Sequence, residues 1–309
     1  MSSKLLALEI GHAHIKMIEV NRKLKSMQVI NYSFIDTPQW CMEDGVIIKP
    51  DIIALAISKE LKRKGYKAKE VIAVVQSDSI ISREIVVPQT RLRKIEKEIV
   101  KHTNNYLPIK LDDYEVDIRK IREVIDDGTL KSEVSVVAVP DKIIQPLIET
   151  LDLAGLIPIN ITIPAECLNT LFNREKYKDK TYMVVDLGKE YLTATIYMYN
   201  SKYITKAFKY KNVLNEENIE RVKHEVLDDI AQLIECFNSM CVIELPIDGL
   251  YILGGGSNSR ELRNVISETF NLPLYKIEYL DTIEEKPKIN MEKYEDYMMN
   301  LIGALVTVK

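Results

Sequence analysis

Four of the 309 residues are cysteine, at positions 41, 167, 236 and 241, too few and too scattered for a disulfide framework. Such thiols suit a reducing compartment, where a buried cysteine serves as a small hydrophobe. Cys236 and Cys241 lack CxxC spacing and have no histidine nearby, which argues for packing over redox or nucleophilic chemistry. A basic excess is missing too: the formal charge is −4, so no electrostatic footprint for nucleic acid is present. No window approaches the roughly 18 uninterrupted apolar residues of a spanning helix. Met1-Ser2-Ser3-Lys4 leads into a strand-like run instead of a secretory signal. The expectation is a cytoplasmic protein without a membrane span. Its hydrophobic content, 46%, is ample for more than one core.

What is present alternates strand and helix patterns. Leu5–Ile10, Ile15–Val20 and Gln28–Ile35 read as three strands, and Pro50 opens a helix with Ile53, Leu55, Ala56 and Leu61 turned inward. Lys64-Gly65 supplies a basic last turn and a C′ glycine. Val71–Gln76 has the continuous apolar character of a strand buried on both faces. Residues 83–155 read as a separate α+β block. It comprises a strand closed by Pro88, an amphipathic helix over Arg91–Tyr106 with Leu92, Ile95, Ile99 and Val100 on one face, and two strands joined at Asp127-Gly128. A helix from Asp141 to Ala154 ends it.

After a strand at Ile157–Ile163, a helix from Pro164 to Phe172 and a charged linker candidate at Arg174–Lys180, the opening pattern returns. Tyr182–Leu187, Leu192–Tyr199 and Tyr203–Tyr210 are three strands, followed by a helix with Val222, Val226, Ile230, Leu233 and Phe237 in phase. Leu250–Leu253 then runs into Gly254-Gly255-Gly256, and helices follow at Ser259–Phe270 and Tyr294–Val306. Acid-x-Gly stands between the first two strands of each copy, at Glu9/Gly11 and at Asp186/Gly188. A unit repeated about 175 residues apart predicts two similar α/β lobes facing a cleft.

Such turns suit phosphate, because glycine admits backbone N–H groups close to anionic oxygens. A carboxylate can hold Mg²⁺ through water, and Lys16 offers a point charge. Either turn alone is an ordinary hairpin; the repeat together with strand–GGG–helix is the stronger signal. His12 and His14 flank one residue of a turn and have no third ligand nearby in sequence, so they read as solvated turn residues over a metal site.

E-I-G-H-A-H-I-K-M-I-E-V, V-V-D-L-G-K-E-Y-L-T and Y-I-L-G-G-G-S-N-S-R-E-L resemble the phosphate-1, phosphate-2 and adenosine motifs of the actin/Hsp70/sugar-kinase superfamily. Within it the chain most resembles the PilM family of type IV pilus assembly, itself similar to FtsA. S-R-E-I-V-V-P at 82–88, L-A-G-L-I-P at 153–158 and N-L-I-G-A-L at 300–305 support this. The resemblance implies an actin-like, ribonuclease H-like α/β fold. Lobe I would hold residues 1–82 and 156–175, an inserted 1C-type subdomain 83–155, and lobe II 176–309. It also implies ATP with Mg²⁺ in the interlobe cleft, with Gly11 and Lys16 in the first phosphate turn, Asp186, Gly188 and Thr193 in the second, and Gly254, Gly255 and Gly256 facing adenosine. Asp186 would hold Mg²⁺ through water if nucleotide binds. The implied partner is the cytoplasmic N-terminal tail of a PilN-like inner-membrane protein, held between subdomains 1A and 1C near Arg83 and Pro88. A pilus ATPase or platform proteins are further implied partners.

The sequence departs from the family pattern at three places. Position 9 is Glu where the first motif has Asp, and His12, Ala13 and His14 replace small hydroxyl residues. Only Lys211–Glu216 separates the third strand of the second copy from its helix, where the family carries subdomain 2B. A cleft lacking that wall would bury little of a nucleotide, leaving little contact to offset the cost of immobilising it. The expectation is a non-catalytic adaptor at the membrane face with weak or lost nucleotide binding. The alternatives are a working ATP-binding switch or ATPase, a small-molecule kinase, for which no substrate base is evident beyond Asp186, and an FtsA-like cell-division protein.

Overall fold

The structure, a computed structural model, describes residues 4–23, 26–88, 91–107, 109–172, 177–199, 201–211, 217–241, 245–277, 283–285 and 295–307. Contacts divide the chain into two compact units, 78–145 and the remainder.

The larger unit opens with β1 (Lys4–Ile10), β2 (His14–Arg22) and β3 (Met27–Asp36), an antiparallel meander. A two-stranded hairpin follows, β4 (Met42–Glu43) and β5 (Val46–Ile47), then α1 (Pro50–Lys64) and β6 (Glu70–Val74). Pro50 begins α1, and Gly65, at φ 72°, closes it in the left-handed conformation a glycine takes without penalty. The inward face of α1 is Ile53, Ala54, Ile57 and Glu60, and Leu55, expected inside, is exposed. The residues at 53, 57 and 60 fall on one stripe; position 55 lies about 160° from position 57.

The smaller unit holds β7 (Ile81–Val87), α2 (Leu92–Lys101), the single turn α3 (Thr103–Tyr106), β8 (Tyr114–Asp126) and β9 (Thr129–Pro140). Its sheet runs β7-β9-β8, with Asp127-Gly128 turning the β8–β9 hairpin at φ 49° and 71°. Ile95 and Ile99 of α2 pack with Val87, Leu107, Val134 and Val136. Leu92 and Val100, placed on that face by the sequence pattern, are exposed. The boundary at 145 falls inside the next helix, α4 (Asp141–Leu153), whereas the sequence pattern placed it at 155.

The larger unit resumes through β10 (Ile157–Thr162) and α5 (Pro164–Phe172). The second copy of the repeat comprises β11 (Thr181–Leu187), β12 (Tyr191–Met198), β13 (Ser201–Lys209), the 22-residue α6 (Ile219–Met240) and β14 (Gly249–Leu253). Then come α7 (Arg260–Thr269), β15 (Leu274–Tyr275), β16 (Ile283–Glu285) and α8 (Glu295–Thr307). The two sheets have the orders β10-β6-β1-β2-β3-β16 and β13-β12-β11-β14-β15. In each copy the first strand pairs antiparallel with the second and parallel with the strand after the helix. That places β6 and β14 at matching positions, as the repeat predicts. β1 and β11 are central strands covered on both faces, so Leu5–Leu8 and Met183–Val185 are almost wholly buried apolar runs.

One core spans both sheets, joining Leu5, Ala7 and Ile18 to Val184, Tyr251 and Leu253 through Phe172, Met298 and Leu301. Two elements of residues 176–309 pack with the first copy of the repeat. β16 pairs with β3 in the first sheet, and α8 packs on α5 and β1. Tyr177, placed in the linker by its charged neighbours, is buried against Phe172 and Tyr182, while residues 174–176 lie outside the described ones. Between β13 and α6 lie nine residues, of which 212–216 are also outside the described ones. Among the described residues no helix is long and apolar enough to cross a membrane.

Candidate functional site

The two acid-x-Gly turns close the same way. The Gly11 N–H donates to the His14 carbonyl at 3.0 Å, and the Gly188 N–H to the Tyr191 carbonyl at 2.8 Å. A Cβ on Gly188 would stand 2.9 Å from that Tyr191 oxygen, so a side chain there forces the turn open. Thr37 braces the first turn, its hydroxyl donating to the Gly11 carbonyl at 2.5 Å and its N–H to Ala13 at 2.9 Å.

Strand register then sets the chemistry. Glu9 lies opposite Lys16 on the β1–β2 hairpin, and Asp186 opposite Thr193 on β11–β12. The Lys16 ammonium donates to Glu9 Oε1 at 2.6 Å, with both side chains buried. From α8, the Asn300 amide donates to Asp186 Oδ2 at 2.8 Å and reaches Glu9 Oε2 at 3.4 Å. Four side chains from β1, β2, β11 and α8 thus form one buried polar cluster. Asn300 Oδ1 finds no donor among the described residues. Burial lowers the Lys16 ammonium pKa, but Glu9 and then Asp186 outweigh it and hold the pKa above its ordinary value. Burial pushes the Asp186 carboxyl upward, with Glu9 adding to the push and Lys16 opposing it.

The glycine-rich turn packs against the same aspartate. Gly254 has φ 80°, and a Cβ there would collide with Asp186 Oδ1 and stand 2.7 Å from the Leu187 carbonyl. Its N–H donates to the Asp296 carbonyl at 3.0 Å. Gly255 is exposed beside the Tyr297 ring, whose hydroxyl accepts from the Asn258 amide, and Gly256 is buried. Phe34 meets Tyr297 edge-on at 5.2 Å, and His14 stacks on Phe34 at 4.1 Å. Ser259 caps α7 by accepting from the Leu262 N–H at 3.2 Å.

His12 is not a solvated turn residue: its imidazole is buried and sits 3.1 Å from Glu190. Burial first, and then the Lys209 charge, lower its pKa to about 4, so the ring is neutral. His14 is half-buried and its pKa is lowered by the same desolvation. Lys209 pairs with Asp44 on the β4–β5 turn, and the Gln76 amide donates to Thr193 Oγ1 at 2.6 Å. Among the described residues, no three His, Cys, Asp or Glu side chains are grouped to hold a metal ion.

Glu9, Lys16, Asp186, Thr193 and Gly254 therefore come together, with Gly11 and Gly188 in the turns beside them. Arg83 and Pro88 are exposed in the smaller unit, on β7 and just beyond it. Of the cysteines, Cys41 and Cys167 are buried, whereas Cys236 is exposed because it falls on the solvent side of α6. Asn300, Tyr297 and Gln76 join the site without having been singled out. Asn300 opens the N-L-I-G-A-L segment, but only the fold shows which way it points.

Paired strand–turn–strand units, a glycine-rich turn and a returning C-terminal helix define a protein of the actin-like ATPase fold. A solved structure of that description, a Bacteroides thetaiotaomicron protein of unknown function, matches with TM-score 0.55 at 11% identity, covering 100% of this chain and 97% of the other. The family model for type IV pilus assembly protein PilM matches residues 7–209, and the chain belongs to that family. A structure described as the PilM-PilN type IV pilus biogenesis complex matches with TM-score 0.83 and 20% identity, over 100% of this chain and 99% of that one. The cytoplasmic domain of EpsL, an inner-membrane component of the type II secretion system of Vibrio cholerae, matches with TM-score 0.50 at 11% identity, over 99% and 96% of the two chains. No curated protein matches the sequence.

Proposed function

We propose that this chain is a nucleotide-independent adaptor of type IV pilus assembly that binds the cytoplasmic tail of a PilN-like inner-membrane protein and sits at the membrane face through it. Family membership and the likeness to the PilM-PilN complex support the role. One observation carries the nucleotide-independent part: the Lys16 ammonium is spent on Glu9 inside a buried cluster that also takes up Asp186. The residues do not fit a metal triphosphate as arranged. A phosphate would have to draw Lys16 away from its partner, and breaking a buried pair costs about 3–5 kcal/mol. The Asp186 carboxylate packs directly against Gly254, in the direction a Cβ there would take.

The test is a titration of a labelled PilN-like tail peptide into the intact chain, with and without Mg-ATP, beside calorimetry with Mg-ATP alone. Peptide binding unchanged by nucleotide, with no nucleotide heat, is the expected result. Tight Mg-ATP binding lost in Asp186→Ala would overturn the reading in favour of a switch. Absence of peptide binding by folded protein would remove the adaptor role.

A further inference from the structure

The larger unit carries a concentration of positive charge at the pole away from the acid-x-Gly turns. Six of the eleven residues 59–69 are Lys or Arg and one is acidic, in a chain whose net charge is −4. Strand direction collects them. β1, β6 and β10 are parallel, and Glu9 and the Gly11 turn mark the far end of β1. Their beginnings therefore share the opposite end, with Lys4 starting β1, and Lys67 and Lys69 just ahead of β6. The last turn of α1, carrying Lys62, Arg63 and Lys64, delivers the chain to that same end.

The loop there is fixed, not free. Glu19, fully buried, accepts from the Lys67 and Ala68 N–H groups at 2.6 Å each, which pins the backbone and turns both flanking lysines outward. Arg63 is spent on Glu60, and Lys64 lies 5.7 Å over the Tyr32 ring. The ammonium groups of Lys4, Lys59, Lys62, Lys67 and Lys69 have no carboxylate partner among the described residues. The exposed acids nearest this pole, Glu70, Glu149 and Asp152, are fewer, and Glu284 is paired with Lys23. Two exposed aliphatic side chains lie among the lysines: Leu153 at the end of α4 and Ile157 at the start of β10, whose N–H donates to the Lys69 carbonyl at 2.8 Å.

We infer that this pole is a docking surface for an anionic lipid bilayer, with the lysines set against headgroup charge and Leu153 and Ile157 entering the headgroup layer. Charge complementarity is the first argument, since a Lys near an anionic leaflet contributes about a fivefold gain in partition. The second separates a bilayer from an acidic peptide. The lysines are spread over the ends of one helix and two strands with long stems beside exposed aliphatic groups, and that mixture suits an interface that is charged outside and apolar beneath. The surface acts in parallel with a membrane-borne partner: two weak attachments combine through effective concentration.

The experiment uses the intact chain and no partner. Sedimentation with vesicles of phosphatidylcholine alone is compared with vesicles holding about a third phosphatidylglycerol, at low and high salt. Binding to the anionic vesicles at low salt, lost at high salt and on neutral vesicles, is the expected result. The variant Lys62→Glu/Lys64→Glu/Lys67→Glu/Lys69→Glu lowers partition more than a hundredfold, and Leu153→Ser/Ile157→Ser lowers it several-fold without changing the salt dependence. Both variants bind the PilN-like tail peptide as the parent does, so failure here and failure of the adaptor reading are separable. Equal binding to neutral and anionic vesicles, or none to either, overturns the inference. So does capture of soluble poly-glutamate in place of vesicles, which would assign the pole to an acidic protein segment.

Discussion

Lys16 and Thr193 stand at matching places in the two copies of the repeat, each directly across its hairpin from the acid of its own turn. The second copy keeps a small hydroxyl there, held by Gln76. The first puts a cation in that place and closes it on Glu9. The two copies of the repeat are thus chemically different at one pair of positions, a buried cation in the first and a hydroxyl in the second. Asn300 completes the arrangement by tying the two acids to one helix.

Lys16→Met leaves Glu9 and Asp186 buried together without a cation, and the expected loss of stability is about 3–5 kcal/mol by urea unfolding. Glu9→Gln/Lys16→Met removes both partners and is expected to recover a large part of that loss. The double-mutant cycle therefore reads a coupling well above 1 kcal/mol. Additive effects would mean that the pair contributes nothing as a pair.

The repeat was legible because hydrophobic periodicity and acid-x-Gly spacing are local signals, written twice. The phase of α6 was legible for the same reason: Val222, Val226, Ile230, Leu233 and Phe237 repeat over about four turns and all are buried. Short segments gave less. Leu55 and Val100 are apolar but exposed, since two or three apolar positions do not fix a helical phase. The state of Lys16 depends on register across a turn and on Asn300, 284 positions later in the chain. Spacing suggested a phosphate-binding lysine; it could not reveal the burial of Lys16 or the carboxylate it faces.

His12 sets a pH dependence. Its folded pKa of about 4 lies below the ordinary 6.5, so the folded chain refuses a proton that the unfolded chain accepts. The contribution is fully present above pH 6.5 and is lost as pH falls toward 4. Its size is at most about 3 kcal/mol, from a fall of about 2.5 in pKa at roughly 1.4 kcal/mol per pKa unit. Unfolding free energies measured from pH 7.5 to 4.5 should fall more steeply for the parent than for His12→Gln. Equal slopes would show that the imidazole is protonated or exposed in the folded chain.

Gly303 marks where α8 crosses α5. A Cβ at this position would collide with the Cys167 carbonyl oxygen and lie 2.6 Å from its carbon, a backbone obstacle that no side-chain rotation relieves. Gly303→Ala is expected to cost about 2–3 kcal/mol by separating the helices. Because Asn300 lies one turn earlier on α8, the same variant should weaken the Lys16–Glu9 coupling. Repeating the cycle in the Gly303→Ala background measures this, and an unchanged coupling would show that the helix holds Asn300 independently of the crossing.

The glycines at 254 and 255 separate two reasons for a glycine-rich turn. A ligand pressing on the backbone would make both necessary. Packing within the chain makes only the first necessary, because Gly254 combines φ 80° with an Asp186 oxygen in the Cβ direction, while the nearest atom to a Cβ on Gly255 is Tyr297 Cε1 at 3.9 Å. Gly254→Ala is therefore expected to cost about 3 kcal/mol or more, from backbone strain and overpacking together. Gly255→Ala should stay within about 0.5 kcal/mol of the parent and bind the PilN-like tail peptide equally well. Thermal and urea unfolding of the two variants give the comparison. A Gly255→Ala chain that folds normally but loses a measurable Mg-ATP affinity of the parent would show that the turn still meets a nucleotide.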